Sequence, residues 1–332
     1  MPKYGPHLPD IEKKVHDKIA ELGLTPAYVF NSQKHQERFY TAPCRDKKGC
    51  KIIFKMRTED FWETRESFRR EIRINRLFTE ASGKDQELAV PRFIAGESEC
   101  VPEWMLYEFI EGKEAGDFYN GVLPENIGKI SIPSLVAGMK KMRYMSAFAT
   151  GKIELQIRGY REFREAYEKY GAVLRPFMSE ASIAAGAKIL KEGAALLDDK
   201  RRVIAHGDLH PGNLVITPEG KIAIIDWYYV HLSNAAFDIA FLYLEITEED
   251  FRREFMERYV AEVADDAREF CELFRLNILR IVPQKISILR DALYTQDPKE
   301  SDYYEKLTSQ GAAKLAKNLE AFERALKGDA FF

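Results

Sequence analysis

Val203-Ile204-Ala205-His206-Gly207-Asp208-Leu209-His210-Pro211-Gly212-Asn213 gathers ionisable side chains, two glycines and a proline at the end of an apolar strand. Polar groups in such a place are costly unless they are bonded or used. The stretch from Val203 to Trp227 is rich in β-branched residues, and Pro218-Glu219-Gly220 carries a hairpin signal. A hairpin symmetric about Glu219-Gly220 sets Leu214 against Ile225, Val215 against Ile224 and Asn213 against Asp226. Opposed residues have Cβ atoms about 5 Å apart, so an amide oxygen and a carboxylate can share one hard cation there. Magnesium suits such a pair, because it keeps several waters and takes only one or two protein carboxylates beside substrate phosphates. A bulge shifts this register by one. Asp208 lies five residues before Asn213, on a loop where a carboxylate can face a reacting hydroxyl rather than the metal. That is the placement of a general base.

The string His206-Gly207-Asp208-Leu209-His210-Pro211-Gly212-Asn213, followed by Ile224-Ile225-Asp226-Trp227, resembles the aminoglycoside phosphotransferase and choline kinase-like family. The resemblance implies an α+β, two-lobed protein kinase-like fold: a small antiparallel-sheet N-lobe with one helix, and a larger, mainly helical C-lobe. It also implies Asp208 as catalytic base, with Asn213 and Asp226 as ligands of the magnesium ions that bridge ATP phosphates. Upstream, Lys55 sits late in an alternating strand, where an ammonium reaches the α- and β-phosphates. Glu71 falls within a helical stripe of Phe68, Ile72, Ile74, Leu77 and Phe78, and a carboxylate on such a face needs a partner. The resemblance implies that partner to be Lys55; Glu66 is the alternative carboxylate. Met105 to Ile110 resembles the strand entering the hinge, with backbone groups of Glu108, Phe109 and Ile110 binding adenine. Phe237-Asp238-Ile239-Ala240 resembles the later motif whose aspartate braces the catalytic loop.

Three features depart from the family pattern. The hairpin Phe30 to Arg38 has no glycine, so no glycine-rich cradle closes over the phosphates, although Ser32 corresponds to a phosphate contact of the family's nucleotide loop. Trp227-Tyr228-Tyr229 stands where an acidic residue is common, and the helix near Met139 to Met145 lacks a frequent Leu-His pair. These departures bear on the acceptor more than on phosphoryl transfer.

The rest of the chain fits that outline. Of its 332 residues, Ile11, Val15, Ile19 and Leu22 mark one face of a leading helix that Gly23 and Pro26 interrupt. Tyr28 to Arg57 reads as extended segments around a Lys47-Lys48-Gly49 turn, and Lys51 to Arg57 alternates between two faces. A helix from Glu66 to Phe78 and strands at Val90 to Ile94 and Met105 to Ile110 complete a nucleotide-binding lobe over 1–110. Helices are expected near Pro133 to Phe148, Gly159 to Tyr170, Ser182 to Leu197, Glu248 to Ala264, Ala267 to Ile281 and Gly311 to Leu326. They place the catalytic loop and acceptor site in a helical lobe over 111–332.

A net charge of -3 supplies no field that recruits nucleic acid or an anionic membrane. No apolar run approaches the about 20 residues that a bilayer crossing needs, so the expectation is a soluble, cytoplasmic protein. Cys44, Cys50, Cys100 and Cys271 form neither a zinc pattern nor a disulfide framework, although Cys44 and Cys50 could meet across a hairpin. Glu245 to Glu272 holds eleven acidic and four basic residues; such a face is solvated, or it concentrates a cationic acceptor with Trp227 to Tyr229 stacking on an ammonium. The leading expectation is an enzyme that moves the γ-phosphoryl group of ATP, with GTP as the alternative donor, to a hydroxyl of a small, amine-bearing molecule. A kinase-fold nucleotide-binding regulatory module with little turnover is the alternative. A protein kinase ranks last, since twelve positions from Asp226 to Asp238 leave little room for an activation segment. Oligomeric state stays open.

Overall fold

The computed structural model describes residues 7–29, 38–82, 90–117, 121–122, 124–149, 151–199, 201–294 and 301–329. It divides into two compact units: residues 1–111 with 148–155 and 223–230, and residues 112–147 with 156–222 and 231–332.

The smaller unit is built on a five-stranded antiparallel sheet. Its helices and strands are α1 (Ile11–Leu22), β1 (Thr25–Pro26), β2 (Phe39–Arg45), β3 (Lys51–Arg57), α2 (Trp62–Ser82), β4 (Phe93–Glu97) and β5 (Trp104–Glu108), with strand order β1-β2-β3-β5-β4. Alternation along β3 sends Ile52, Phe54 and Met56 to one face, where they join Tyr40, Ala42, Trp104 and Leu106 against Ile11, Val15 and Ile19 of α1. The other face carries Met105, covered by Phe68 and Ile72 of α2 and by Tyr228. Both faces are therefore covered, which is why Lys55 is buried although the strand alternates. Helix α2 begins before the expected Glu66 and runs past Phe78. In the β2–β3 hairpin Cys44 opposes Ile52, and Cys50 is exposed in the turn. The two thiols do not face each other, and all four cysteines are free.

The larger unit is mainly helical, with Tyr160–Tyr170, Glu180–Glu192, Phe237–Tyr243, Glu249–Val263, Ala267–Tyr294 and Ser301–Lys327 among its helices. The helix expected to stop at Ile281 continues because Val282, Ile286 and Leu289 extend its buried stripe past Pro283. Two short antiparallel pairs frame the quoted loop: Val203–Ala205 with His231–Ser233, and Lys113–Glu114 with Val215 and Ile216. Among the described residues no helix is long and apolar enough to cross a membrane.

Candidate active site

In the smaller unit, β3, α2 and the segment after Ile224 bring three charges together. The Lys55 ammonium donates to both oxygens of Glu71 at 2.9 Å and to Oδ1 of Asp226 at 2.7 Å. It lies 4.8 Å from the centre of the Phe39 ring. Lys55 and Glu71 are buried, whereas half of the Asp226 side chain is exposed. Burial opposes the Lys55 charge, but Asp226 and Glu71 outweigh it and hold the ammonium above its ordinary range. Burial pushes the Glu71 carboxyl up to about 8 against the pull of Lys55. One ammonium cannot fully neutralise two carboxylates, and the buried one is the first to take a proton. The alternative carboxylate, Glu66, pairs with Arg69. Asp226 has φ 63 and ψ 67, a left-handed conformation that aspartate tolerates better than most side chains and that clusters at functional sites.

The quoted loop lies in the larger unit and is held by its own polar atoms. Asp238 accepts the N–H of His206 at 2.7 Å and of Gly207 at 3.0 Å. Gly207 has φ 85, which only glycine adopts at little cost, and this turns two successive N–H groups onto one carboxylate. Burial pushes the Asp238 carboxyl up, and these two N–H groups work against it. His206 accepts the Asp208 N–H through Nδ1 at 3.3 Å, and His210 accepts the Gly212 N–H through Nδ1 at 3.1 Å. Both imidazoles therefore shape the loop. Asn213 Nδ2 donates to the Asp208 carbonyl at 2.8 Å, which leaves its Oδ1 as an oxygen donor.

The hairpin after Asn213 corrects the expected register. Thr217 N–H donates to the Lys221 carbonyl and Gly220 N–H to the Thr217 carbonyl, each at 2.9 Å, with Gly220 at φ 75. This is a turn of three loop residues closed by a left-handed glycine rather than a symmetric two-residue one. The ladder is displaced by one place, so this turn does not set Asn213 against Asp226. The two residues fall in different units.

At the expected hinge, Glu108 ends β5 and its N–H already donates to the Arg92 carbonyl at 2.9 Å. Phe109 and Ile110 lie beyond the ladder. Ser32 and the glycine-free hairpin to residue 37 lie outside the described residues.

A model of the phosphotransferase enzyme family matches residues 44–274. The chain belongs to this family. Solved phosphotransferase structures agree in fold: the macrolide 2′-phosphotransferase MphH of Brachybacterium faecium is 16% identical with a TM-score of 0.55, covering 91% of this chain and 98% of that one. The choline kinase LicA of Streptococcus pneumoniae is 16% identical with a TM-score of 0.53, covering 94% and 99%. An aminoglycoside phosphotransferase of Alicyclobacillus acidocaldarius is 14% identical with a TM-score of 0.50, covering 87% and 92%. At these identities the likeness is one of fold, an α+β kinase-like phosphotransferase. A search of the curated proteins found no match.

Asn213 in the larger unit carries an amide oxygen, and Asp226 in the smaller unit a half-exposed carboxylate. Both are hard oxygens, and few protein ligands suit an ion that keeps water and phosphate. Among the described residues no group of three or more His, Cys, Asp or Glu side chains could hold a metal without such help.

Several carboxylates of the acidic segment after Glu245 are paired. Glu249 pairs with Lys317, Asp250 with Arg253, Glu262 with Arg258, Asp265 with Arg143, and Glu269 with Arg201. Arg253 and Arg258 belong to the segment's own four basic residues, so of these partners only Lys317, Arg143 and Arg201, from outside it, reduce its surplus. Trp227 is fully buried, edge to face with Phe78 at 4.7 Å, and Tyr228 packs on Phe39; only Tyr229 is exposed, with Arg38 at its hydroxyl. One cluster escaped the sequence reading. Glu245 binds Lys285 and Lys314, 40 and 69 residues away. Its signal was a lysine at 285 between the buried Val282 and Ile286.

Proposed function

We propose that the protein is an ATP-dependent phosphotransferase that moves the γ-phosphoryl group to a hydroxyl of a small molecule. Residues 1–110 would bind the nucleotide, and 111–332 would carry the catalytic loop and the acceptor site. The observation that carries this reading is the buried Lys55 ammonium gripped by Glu71 and Asp226, which is costly to build and has little structural use.

Lys55 would exchange part of its carboxylate contact for the α- and β-phosphates, with Glu71 fixing the ammonium, and backbone groups of Glu108 to Ile110 would bind the base. Asp226 and Asn213 would hold magnesium, which supplies charge neutralisation of the phosphates when bound. Asp208, one quarter exposed, would accept the acceptor's proton. Its loop is kept in shape by Asp238, so the base is presented by backbone contacts rather than by packing alone. An amine on the acceptor is not needed by this arrangement and is a matter for the assay.

The test is transfer from labelled ATP, and in parallel GTP, with magnesium to a panel of aminoglycosides, amino alcohols, sugars and hydroxy amino acids. Transfer by the native protein and a loss of about 10²- to 10⁴-fold in Asp208→Asn, at retained nucleotide affinity, is the expected result. Equal turnover in the variant sinks the base assignment. Nucleotide binding without transfer to any acceptor would favour the regulatory module. Neutral and amine-bearing acceptors of equal size, compared over a range of salt, decide whether an acceptor charge matters.

A further inference from the structure

Helices Phe237–Tyr243 and Ala267–Tyr294 lie side by side, joined in turn by Asn234 with Asn277, Phe237 with Arg280 and Phe241 with Lys285. On the longer helix Asn277, Arg280 and Gln284 fall at i, i+3 and i+7, which is one face. Their polar groups are buried without satisfying one another. Asn277 Nδ2 donates to Asn234 Oδ1 at 2.8 Å and to the Leu273 carbonyl at 2.7 Å, and Asn234 Oδ1 also accepts the Ala236 N–H at 3.1 Å. These bonds fix both amide orientations. They leave Asn277 Oδ1 and Asn234 Nδ2 buried without a partner, and Gln284 Oε1 is in the same condition.

Arg280 completes the set. It is 8% exposed, and its guanidinium lies 5.5 Å from the centre of the Phe237 ring. Among the described residues no carboxylate pairs with it and no oxygen accepts from it. Burial and the like charge of Arg158 push it down to about 9, which leaves it charged at pH 7. A buried charge without a counter-ion is costly, as is each orphaned amide atom. Residues three apart on a helix have Cβ atoms about 5–6 Å apart, so the amide pair and the guanidinium are neighbours.

Two donors, the guanidinium and the Asn234 amide, call for an anion. Two acceptors, Asn277 Oδ1 and Gln284 Oε1, call for a proton on that same ligand. A carboxylate or a sulfate answers only the donors, because neither carries a proton at neutral pH. Inorganic phosphate answers both, since it keeps at least one P–OH beside its bare oxygens. A phosphate monoester, with its second ionisation near about 6, has mostly lost that proton at pH 7.

We propose that this face of the helix binds inorganic phosphate, with Arg280 and Asn234 donating to its bare oxygens and its P–OH donating to Asn277 or Gln284. All four residues belong to the larger unit. Asn234 directly follows the strand His231–Ser233, whose partner Val203–Ala205 leads into the catalytic loop. Bound phosphate would brace the support of that loop without entering the transfer step, and the site stands whether or not the chain transfers phosphoryl groups.

Calorimetry on the full chain with inorganic phosphate at fixed ionic strength tests this, with glycerol phosphate, sulfate and acetate titrated in parallel. Phosphate should bind about tenfold or more tightly than the other three, the effect of one charge-assisted hydrogen bond left unmade. Thermal unfolding should move upward with phosphate. Arg280→Met removes the charge and strands no carboxylate, which favours folding; it should weaken phosphate binding about tenfold or more. Gln284→Met, at a partly buried position, should bring phosphate affinity down toward that of sulfate. Lys55→Met should leave phosphate binding as it is, which separates this site from that of the nucleotide. Absence of phosphate binding by the native protein, equal affinity for sulfate, acetate or glycerol phosphate, or binding that survives Arg280→Met overturns the proposal. Loss of phosphate binding in Lys55→Met overturns it too. If Arg280→Met does not fold, unchanged phosphate affinity in Gln284→Met decides against the site.

Discussion

Replacing Lys55 by Met and Glu71 by Gln, singly and together, tests whether the buried charges of the smaller unit act as one device. Lys55 donates to Glu71 twice at 2.9 Å and to Asp226 once at 2.7 Å. Breaking a buried pair from one side costs about 3–5 kcal/mol when the remaining charge stays ionised. Glu71 escapes part of that cost, because burial already pushes its carboxyl up to about 8 and without Lys55 it is protonated at pH 7. Lys55→Met should therefore destabilise the free protein by about 1–3 kcal/mol, the cost of unmade buried hydrogen bonds. Glu71→Gln leaves Lys55 on Asp226 and keeps an acceptor oxygen, so about 1 kcal/mol is expected. The Asp226 contact is half in water and counts for less. The double variant should be no worse than Lys55→Met, with an interaction of about 1 kcal/mol or more. Urea unfolding of the four proteins measures this, and calorimetry with magnesium and a non-hydrolysable ATP analogue measures the nucleotide side, where Glu71→Gln should weaken binding less than Lys55→Met. Fully additive losses in both measurements would refute the reasoning, since the two residues would then act separately.

Asp226→Ala should weaken magnesium-dependent nucleotide binding more than Asn213→Ala, because a carboxylate contributes a full charge; calorimetry with and without magnesium decides, and unchanged affinity in both removes the metal site. Asp238→Ala unmakes two buried N–H contacts and should cost about 1–3 kcal/mol each in unfolding experiments, lowering kcat while leaving nucleotide affinity intact. Glu245 is held below the ordinary carboxylate range by Lys285 and Lys314, which outweigh its burial. A depressed folded value means that this stability is present above the unfolded carboxylate range and is lost as pH falls through the folded one. Glu245→Gln should cost about 3–5 kcal/mol at pH 7 and flatten the acid side of the stability profile; an unchanged acid slope contradicts the assignment.

Much of the site was legible before the fold was seen. The string from His206 to Asn213 with Asp226 behind it is specific because few sequences place a carboxylate, an amide and two glycines so close to an apolar strand. The helix Ile11–Leu22 followed its apolar period to the residue, since Gly23 at φ 65 ends it. Lys55 and Glu71 were paired by resemblance, and their 2.9 Å contacts followed only when α2 covered the second face of the sheet. The register after Asn213 is not settled by the sequence, because a three-residue and a two-residue turn share the same Pro-Glu-Gly signal and differ in where the left-handed glycine closes the turn.

The sequence by itself determined the family and the α+β class and singled out the candidate residues, because these depend on local spacing: five residues from Asp208 to Asn213 and alternation along a strand are properties of the chain. Tertiary structure decided which charges count. The acidic excess after Glu245 is countable in the sequence, but its contacts with Arg143, Arg201 and Lys317 are not, nor is the packing of Trp227 against Phe78. Lys285 was one lysine among many until Glu245 and Lys314 met it in the interior. Charge is read from composition, but its energy depends on burial and on partners tens of residues away, and both are set only when the chain folds.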